Sequence, residues 1–116
     1  MAGITSALCT SFKVELLEGD HDFNNGADAF KVALLKANAS ITGTYNATTT
    51  NYSNVTGNSD ELPNGSGYTT GGYALTNVNP TSSGTTAFTT FSANAAWSSA
   101  TFTTRGCIIY NTSDGN

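Results

Sequence analysis

The stretch from Ala95 to Tyr110, AAWSSATFTTRGCIIY, decides how the rest of the chain is expected to fold. It holds the only tryptophan, Trp97, and the densest apolar cluster of the C-terminal half. Alternation around Phe102 places successive side chains on opposite faces of a strand. The run from Cys107 to Tyr110 has no polar position, so the sequence predicts a second strand that is covered on both faces. The other apolar segments are expected to pack against this pair.

The apolar content is low for a domain of this length. Leu, Ile, Val and Phe supply 21 of the 116 residues, and Thr, Ser, Asn and Gly fill much of the rest. The net charge of −4, with only 10% charged residues, is too weak to indicate disorder. Threonine suits a half-exposed pleated surface. The composition therefore predicts a single β domain, residues 1–116, whose thin core gains stability from partners.

Charge and hydropathy argue against two classes of partner. The four basic residues are scattered along the chain, whereas a nucleic-acid surface needs them clustered. No apolar run approaches the about 18 residues that cross a bilayer, so no membrane partner is expected. The N-terminus also lacks the features of a secretory signal. Cys9 and Cys107 are therefore expected to be two thiols, although their pairing stays open at this point.

A helix is predicted in the N-terminal segment, residues 1–19. Phe12 and Leu16 lie at helical spacing, and Gly19 follows directly as a helix-ending residue. The apolar face of this helix is expected to cover one end of the β structure.

Two segments follow with opposite character. Residues Ala29 to Lys36 alternate in a way that predicts a strand with Phe30, Val32 and Leu34 on one face. The section from Asn38 to Pro63 is polar and of low complexity, with its few apolar residues far apart. It is predicted to be a long polar surface excursion with one short strand at most.

Turn residues divide the second half of the chain. Gly71 and Gly72 indicate a bulge or a close backbone approach before a strand from Tyr73 to Val78, which Asn79 and Pro80 are expected to end. A strand over residues 86–92 follows. The triplet Ser-Asp-Gly at 113–115 is typical of a hairpin turn, yet no second strand follows it. Together these features predict an all-β fold, an antiparallel β-sandwich or jelly-roll-like domain with one short N-terminal helix.

Candidate chemistry is sparse. Glu18, Asp20, His21 and Asp22 form the one cluster with metal-ligating side chains, but the spacing fits no helical histidine pair or calcium loop, and a solvated turn is the favoured interpretation. Nucleophilic catalysis would need a nucleophile beside His21, the sole histidine, and neither cysteine carries such a signature. The sequence predicts no catalytic residue, no cofactor and no metal.

Tyrosines set among Asn and Thr offer a possible interaction surface instead. Tyr45, Tyr52, Asn54 and Tyr68 have the side chains that stack on sugar rings and bond to hydroxyls. The competing interpretation is ordinary packing, which is favoured more strongly for Trp97 than for the loop tyrosines.

Four blocks together resemble a widespread family of small proteins of tailed bacteriophages: SFKVELLEGDHDF (11–23), DAFKVALL (28–35), GYTTGGYALTN (67–77) and AAWSSATFTTRGCIIYN (95–111). The resemblance spans nearly the whole chain except Asn38 to Pro63. It implies a virion structural protein, most plausibly a capsid decoration (cement) protein on the capsid exterior, assembled in the host cytoplasm. Family members continue into one more apolar strand, which here is either missing or supplied by a partner.

The implied partners are the major capsid protein or other virion proteins, and further copies of the chain. A thin core and an unpaired last strand favour a homo-oligomer, with a trimer as the expected state. The alternative is a tail or fibre component with a glycan-binding face.

Overall fold

Strands dominate the computed structural model, which describes residues 2–114, with strands at 34% and helices at 14%. In chain order the elements are β1 (Gly3–Ile4), α1 (Thr10–Glu18), β2 (Phe30–Lys36), β3 (Thr44–Tyr45), α2 (Ser53–Gly57), β4 (Tyr73–Leu75), β5 (Asn77–Ser83), β6 (Thr86–Phe91) and β7 (Thr104–Asn111), with a 3-10 turn at Asn38–Ser40. The prediction of a small β-rich domain is confirmed.

β2 is the central strand of the main sheet. It pairs antiparallel with β4 on one side and with β7 on the other, in the order β4-β2-β7. Its sequence FKVALLK is almost wholly apolar, and its side chains are buried on both faces from Val32 to Leu35. A strand covered on both faces needs such a run. The strand predicted from Ala29 to Lys36 is thus confirmed.

β7 lies at the edge of that sheet, and the prediction that Cys107 to Tyr110 is covered on both faces is wrong. Ile109 has 54% of its surface exposed, and Cys107 is exposed beside it. Ile108 and Tyr110, on the other face, are partly buried. The reason is that β2 takes the central place, which leaves β7 with a core on one face only.

Two small clusters of buried side chains lie on opposite faces of β2. Leu34 packs with Leu62 and Tyr68, while its neighbour Leu35 packs with Tyr45 and Val55. Adjacent strand residues point to opposite faces, so one strand anchors both clusters. Partly buried residues complete them: Trp97 and Phe102 on the first, Ile4 and Ile108 on the second.

The section at residues 38–63 is a large part of the core, and its prediction as a surface excursion is wrong. Ile41, Tyr45, Val55 and Leu62 are buried, and β3 and α2 both lie within this section. β3 pairs in parallel with β1 to form a separate two-stranded sheet. The apolar residues of the section at 38–63 are far apart along the chain, but the fold gathers them on the two faces of β2.

The N-terminal helix forms as predicted, as α1. It ends at Gly19, which has a positive φ of 86° and donates its backbone N–H to Leu16 at 3.3 Å. Phe12 anchors the helix by stacking on His21 at a centroid distance of 4.8 Å. The expectation that Leu16 also packs on the β structure is wrong, since Leu16 is exposed and Leu17 is 90% exposed.

The strand predicted from Tyr73 to Val78 is two strands in the structure: β4 ends at Leu75 and pairs with β2, whereas β5 starts at Asn77. β5 does not end at Asn79 and Pro80 as predicted but continues through Pro80 to Ser83 and returns as β6, the strand predicted at 86–92. Pairing between β5 and β6 is irregular between Val78 and Thr81. Proline lacks the N–H of a regular ladder and is tolerated at such an irregularity.

Trp97 and Phe102 lie in irregular chain rather than in a strand. Their rings nevertheless contact Tyr68, at centroid distances of 6.2 and 6.1 Å, which confirms the core prediction for Trp97. The turn expected at 113–115 is described only as far as Asp114, because Gly115 lies outside the described residues.

Candidate functional site

The hairpin formed by β5, β6 and their turn, residues 77–91, projects from the domain, and we call it the arm. Its base is anchored, because the Asn77 side-chain amide donates to the backbone oxygen of Asp28 at 2.9 Å and Phe91 lies 6.4 Å from Phe30. Every residue from Val78 to Thr90 is exposed, on both faces of the hairpin. A two-stranded hairpin of this kind is marginally stable at best in water. Within the described chain, neither face of the arm is therefore packed against a core.

One face of the arm carries apolar groups. Val78 lies opposite Thr90 and Thr81 opposite Phe88, so these four side chains share a face. Phe88 is 42% exposed and Val78 37% exposed, and residues 77–91 include no charged side chain. An uncharged strip with an exposed aromatic ring is typical of a contact surface rather than of free solvent exposure.

A second unpartnered feature is the outer edge of β7. No other strand of the described chain pairs with the side of β7 that faces away from β2. Arg105, Cys107 and Ile109 are exposed on one face of this strand. Free edges of this kind are where another strand can be added by backbone hydrogen bonds.

The surface predicted from Tyr45, Tyr52, Asn54 and Tyr68 does not exist as a surface. Tyr45 and Tyr68 are buried in opposite core clusters, and Tyr52 is partly buried. Only Asn54 is exposed, and its side-chain oxygen accepts the backbone N–H of Thr50 at 3.0 Å. The packing interpretation is the correct one for these tyrosines.

Two of those tyrosines instead bind a buried carboxylate. Glu61 Oε1 accepts the hydroxyl of Tyr68 and the backbone N–H of Gly71, both at 2.7 Å. Glu61 Oε2 accepts the hydroxyl of Tyr52. The Tyr52 ring stacks on Tyr110 at a centroid distance of 4.1 Å. Burial, and then the Glu61 carboxylate, raise the pKa of Tyr52 far above its usual range. The tyrosines are hence uncharged donors that hold the fold together.

The neighbouring residue, Asp60, plays the same role in the other cluster. It accepts the backbone N–H groups of Thr42 and Gly43 at 2.8 and 2.7 Å and the hydroxyl of Tyr45 at 2.6 Å. Burial raises the pKa of Asp60, but these donors outweigh it and the pKa lies below its ordinary value. Burial and Asp60 together raise the pKa of Tyr45 to about 12. Sequence reasoning missed this pair of adjacent acids, because nothing local distinguishes them from a polar loop.

Of the predicted cluster Glu18, Asp20, His21 and Asp22, the structure brings His21 together with acids from elsewhere. The Asn111 side-chain nitrogen lies within 3.0 Å of His21 Nδ1, 2.8 Å of Asp28 and 2.9 Å of Asp114. Since Asn111 Oδ1 accepts the N–H of Ser113 at 2.8 Å, its amide nitrogen must face the cluster as the donor. His21 Nδ1 is therefore an acceptor, and its Nε2 faces Glu15 at 2.9 Å.

This cluster has ligand atoms of the right type for a cation. His21, Asp28 and Asp114 each offer one ligand atom, and these three atoms lie within 4.8 Å of one another. They lie beside a cleft of about 270 Å³ that Glu15 and Asp20 also line. The nitrogen of Asn111 already occupies the point where these acceptors converge. Hydrogen bonding thus accounts for the arrangement, which joins α1, the following loop and the end of β7.

The Asp28 carboxylate makes this junction sensitive to acid. The backbone N–H of Asp22, donating at 2.8 Å, is the main reason that the pKa of Asp28 lies below its ordinary 3.8, and Asn111 adds to it against the effect of partial burial. A lowered pKa means that ionised Asp28 stabilises the folded state, a contribution that is lost as the pH falls through the folded-state pKa.

We therefore expect Asp28→Asn to be less stable than the unchanged protein at pH 7, with the gap closing below about pH 4. Urea unfolding across this pH range measures it. Asp20→Asn, which removes an exposed carboxylate from the same loop, is the control and should show no such gap. A gap that does not narrow as the pH is lowered from about 4 would contradict the assignment.

The hydrogen-bond partners of His21 are not hydroxyl or thiol groups. Within residues 2–114, His21 hydrogen-bonds to the side chains of Glu15 and Asn111. Both cysteines are free thiols, as expected, with Cys9 donating to the backbone oxygen of Asn46 at 3.8 Å.

Comparison of the chain with protein families, curated proteins and solved structures found no match in any of the three. In the described part of the chain, neither helix is long and apolar enough to cross a membrane. The geometry of the arm and of the β7 edge is accordingly the main guide to function.

Proposed function

We propose that this chain is a non-enzymatic structural protein of a bacteriophage virion, a decoration protein that binds the outer capsid lattice. The observation that carries the proposal is the arm, residues 77–91, whose two strands have no core beneath them and whose surface is uncharged. Such an element contributes little to the stability of a free monomer. It becomes useful when it lies on a neighbouring protein, which is the situation of every subunit in a shell.

The overall dimensions fit this role. The radius of gyration is 14.8 Å, whereas a compact domain of this length is expected near about 13 Å. The excess fits a domain from which an element such as the arm extends. The major capsid protein is the proposed lattice partner, with the capsid exterior as the proposed location.

The sandwich or jelly-roll-like arrangement belongs to this proposal as well. In the described chain the strands form a three-stranded sheet and two separate two-stranded sheets. We propose that neighbouring subunits add strands to these small sheets, so that a sandwich is completed in the assembled particle.

The alternative, a tail or fibre component with a glycan-binding face, has weaker support. Its proposed contact residues included Tyr45 and Tyr68, which are buried. Their replacement would weaken any binding through loss of folding, so it no longer tests sugar recognition.

Capsid binding tests the proposal directly. Capsids prepared without this protein are mixed with it, sedimented and heated. We expect the protein to co-sediment in a fixed ratio to the major capsid protein and to raise the temperature at which capsids break. Phage that lack the protein should keep their host range. Phe88→Lys, which places a charge on the arm, should reduce the bound amount about tenfold or more, because a neighbouring protein covers the arm in the assembled particle and a buried unpaired charge is costly.

Leu17→Lys is the matched control, because Leu17 is an exposed apolar residue on α1 and not on the arm. It should bind capsids as the unchanged protein does. Absence of co-sedimentation by the unchanged protein would overturn the proposed function.

A further inference from the structure

We propose that the arm of one copy docks along the β7 edge of a second copy, joining copies head to tail into a closed ring, with a trimer as the expected state. The inference rests on the proposed function for its setting in a shell, but the contact itself lies between copies of this chain. The strand that covers the β7 edge thus belongs to a second copy.

From Gly106 to Asn111, beyond the irregularity in its pairing with β2, the β7 edge lacks the features that protect natural edge strands. Such strands are kept short, interrupted by proline, charged or covered. β7 is eight residues long, and its portion from Gly106 to Asn111 contains neither proline nor a charged residue. Its exposed face there presents Cys107 and Ile109. This part of β7 is consequently open to an added strand.

The arm has the matching geometry. β6 is six residues long and pairs with β5 on one side only, so its other edge is also unpaired within the described chain. Its exposed side chains, above all Phe88, supply apolar surface that can continue the strip formed by Cys107 and Ile109. Main-chain hydrogen bonds would provide affinity, and this apolar contact would set the register.

The charge distribution leaves the way open for a second copy. Six of the eight acidic residues lie on α1, in the loop that follows it, or just after β7: Glu15, Glu18, Asp20, Asp22, Asp28 and Asp114. The other two, Asp60 and Glu61, are buried. The arm is uncharged, and Arg105 is the only charged residue of β7. Two copies with a net charge of −4 can therefore meet arm to edge without apposing like charges.

The two surfaces also complement each other in number. Each copy carries one arm and one β7 edge, and its own arm is exposed rather than lying on its own β7. A contact between two different surfaces is heterologous, and it forms a ring when the rotation between copies closes. In a closed ring, the arm and the β7 edge of every copy are both covered.

Disulfide trapping tests this contact without any capsid. In a Cys9→Ser background that keeps Cys107, single cysteines replace Thr86, Ala87, Phe88, Thr89 and Thr90 of β6 in turn. A disulfide forms only when the two Cβ atoms come within about 4.5 Å. Mild oxidation followed by non-reducing electrophoresis is therefore expected to show copies linked through Cys107, with yields that alternate along β6.

Leu17→Cys in the same background is the control for random collision, because Leu17 is exposed on α1. It should give about tenfold less linked protein than the best β6 position, since its Cβ is not held near Cys107. Equal yields at all β6 positions, or at Leu17, would overturn the arm-to-edge contact.

Sedimentation provides a second readout that does not use cysteines. The unchanged protein should sediment as a trimer at micromolar concentration, and Ile109→Lys should raise the dissociation constant about tenfold or more, because a lysine on an edge strand opposes strand addition. Ile109 is exposed, so this variant should fold normally, and Leu17→Lys should remain trimeric. A monomeric unchanged protein would overturn the inference, and a dimer would overturn the three-copy ring. Capsid binding by a protein that fails these tests would leave the proposed function standing.

Discussion

Replacing Asp60 with alanine is expected to lower the free energy of unfolding by about 3–5 kcal/mol, because a buried network loses its only common acceptor. The carboxylate of Asp60 accepts from the backbone of Thr42 and Gly43 and from the hydroxyl of Tyr45, within 2.6–2.8 Å. Alanine leaves these donors without this partner, and the hydroxyl of Tyr45 among them is buried. For a domain whose total stability is about 5–15 kcal/mol, this loss approaches unfolding.

Urea unfolding at pH 7, followed by Trp97 fluorescence, measures the effect. Asp20→Ala is the matched control, since it also removes one negative charge but at an exposed position. It should change stability by less than about 0.5 kcal/mol. A similarly small change for Asp60→Ala would show that the buried network contributes little to folding.

Gly72→Ala is expected to have an effect of comparable size for a different reason. Gly72 has a φ of 86°, and a Cβ on it would collide with the backbone carbonyl of Val32 on the central strand. The positive φ costs roughly 1 kcal/mol for alanine. The collision lowers the free energy of unfolding further, because the backbone of a buried strand cannot move aside without disturbing both core clusters. A loss of about 3 kcal/mol or more is expected in urea unfolding.

The adjacent glycine separates these two causes. Gly71 has a similar φ of 98°, but the atoms nearest to its added Cβ are at 3.8 and 3.9 Å, which is ordinary contact. Gly71→Ala should therefore cost only the conformational part, about 1 kcal/mol. Equal losses for the two variants would mean that the close approach to Val32 has no energetic weight.

The close approach at Gly71 and Gly72 illustrates what local patterns can predict. A glycine pair before a strand indicated that two backbones meet, and Gly72 does lie against β2. The helix ending at Gly19 and the strand from Ala29 to Lys36 were predictable for the same reason. Each depends on the conformational range of one residue or on the spacing of neighbours, which the sequence states directly.

The core contributed by residues 38–63 shows what such patterns miss. Val55 and Tyr45 are separated by polar residues, so neither helical nor strand periodicity identifies them as buried. The candidate contact residues failed for the same reason, because Tyr45 and Tyr68 look like loop tyrosines until their hydrogen bonds to Asp60 and Glu61 are seen. Long-range burial is a property of the folded chain and leaves no local mark.

By itself the sequence determined that this is a β-rich domain with one N-terminal helix and few charges. Only the tertiary structure decided that β2 rather than β7 is the central strand, that the polar section at 38–63 is core, and that residues 77–91 form an uncovered arm. The physical reason is that secondary structure follows from short-range sterics and periodicity. Which surface is covered depends instead on which segments meet, and several apolar runs of this chain compete for the same central place.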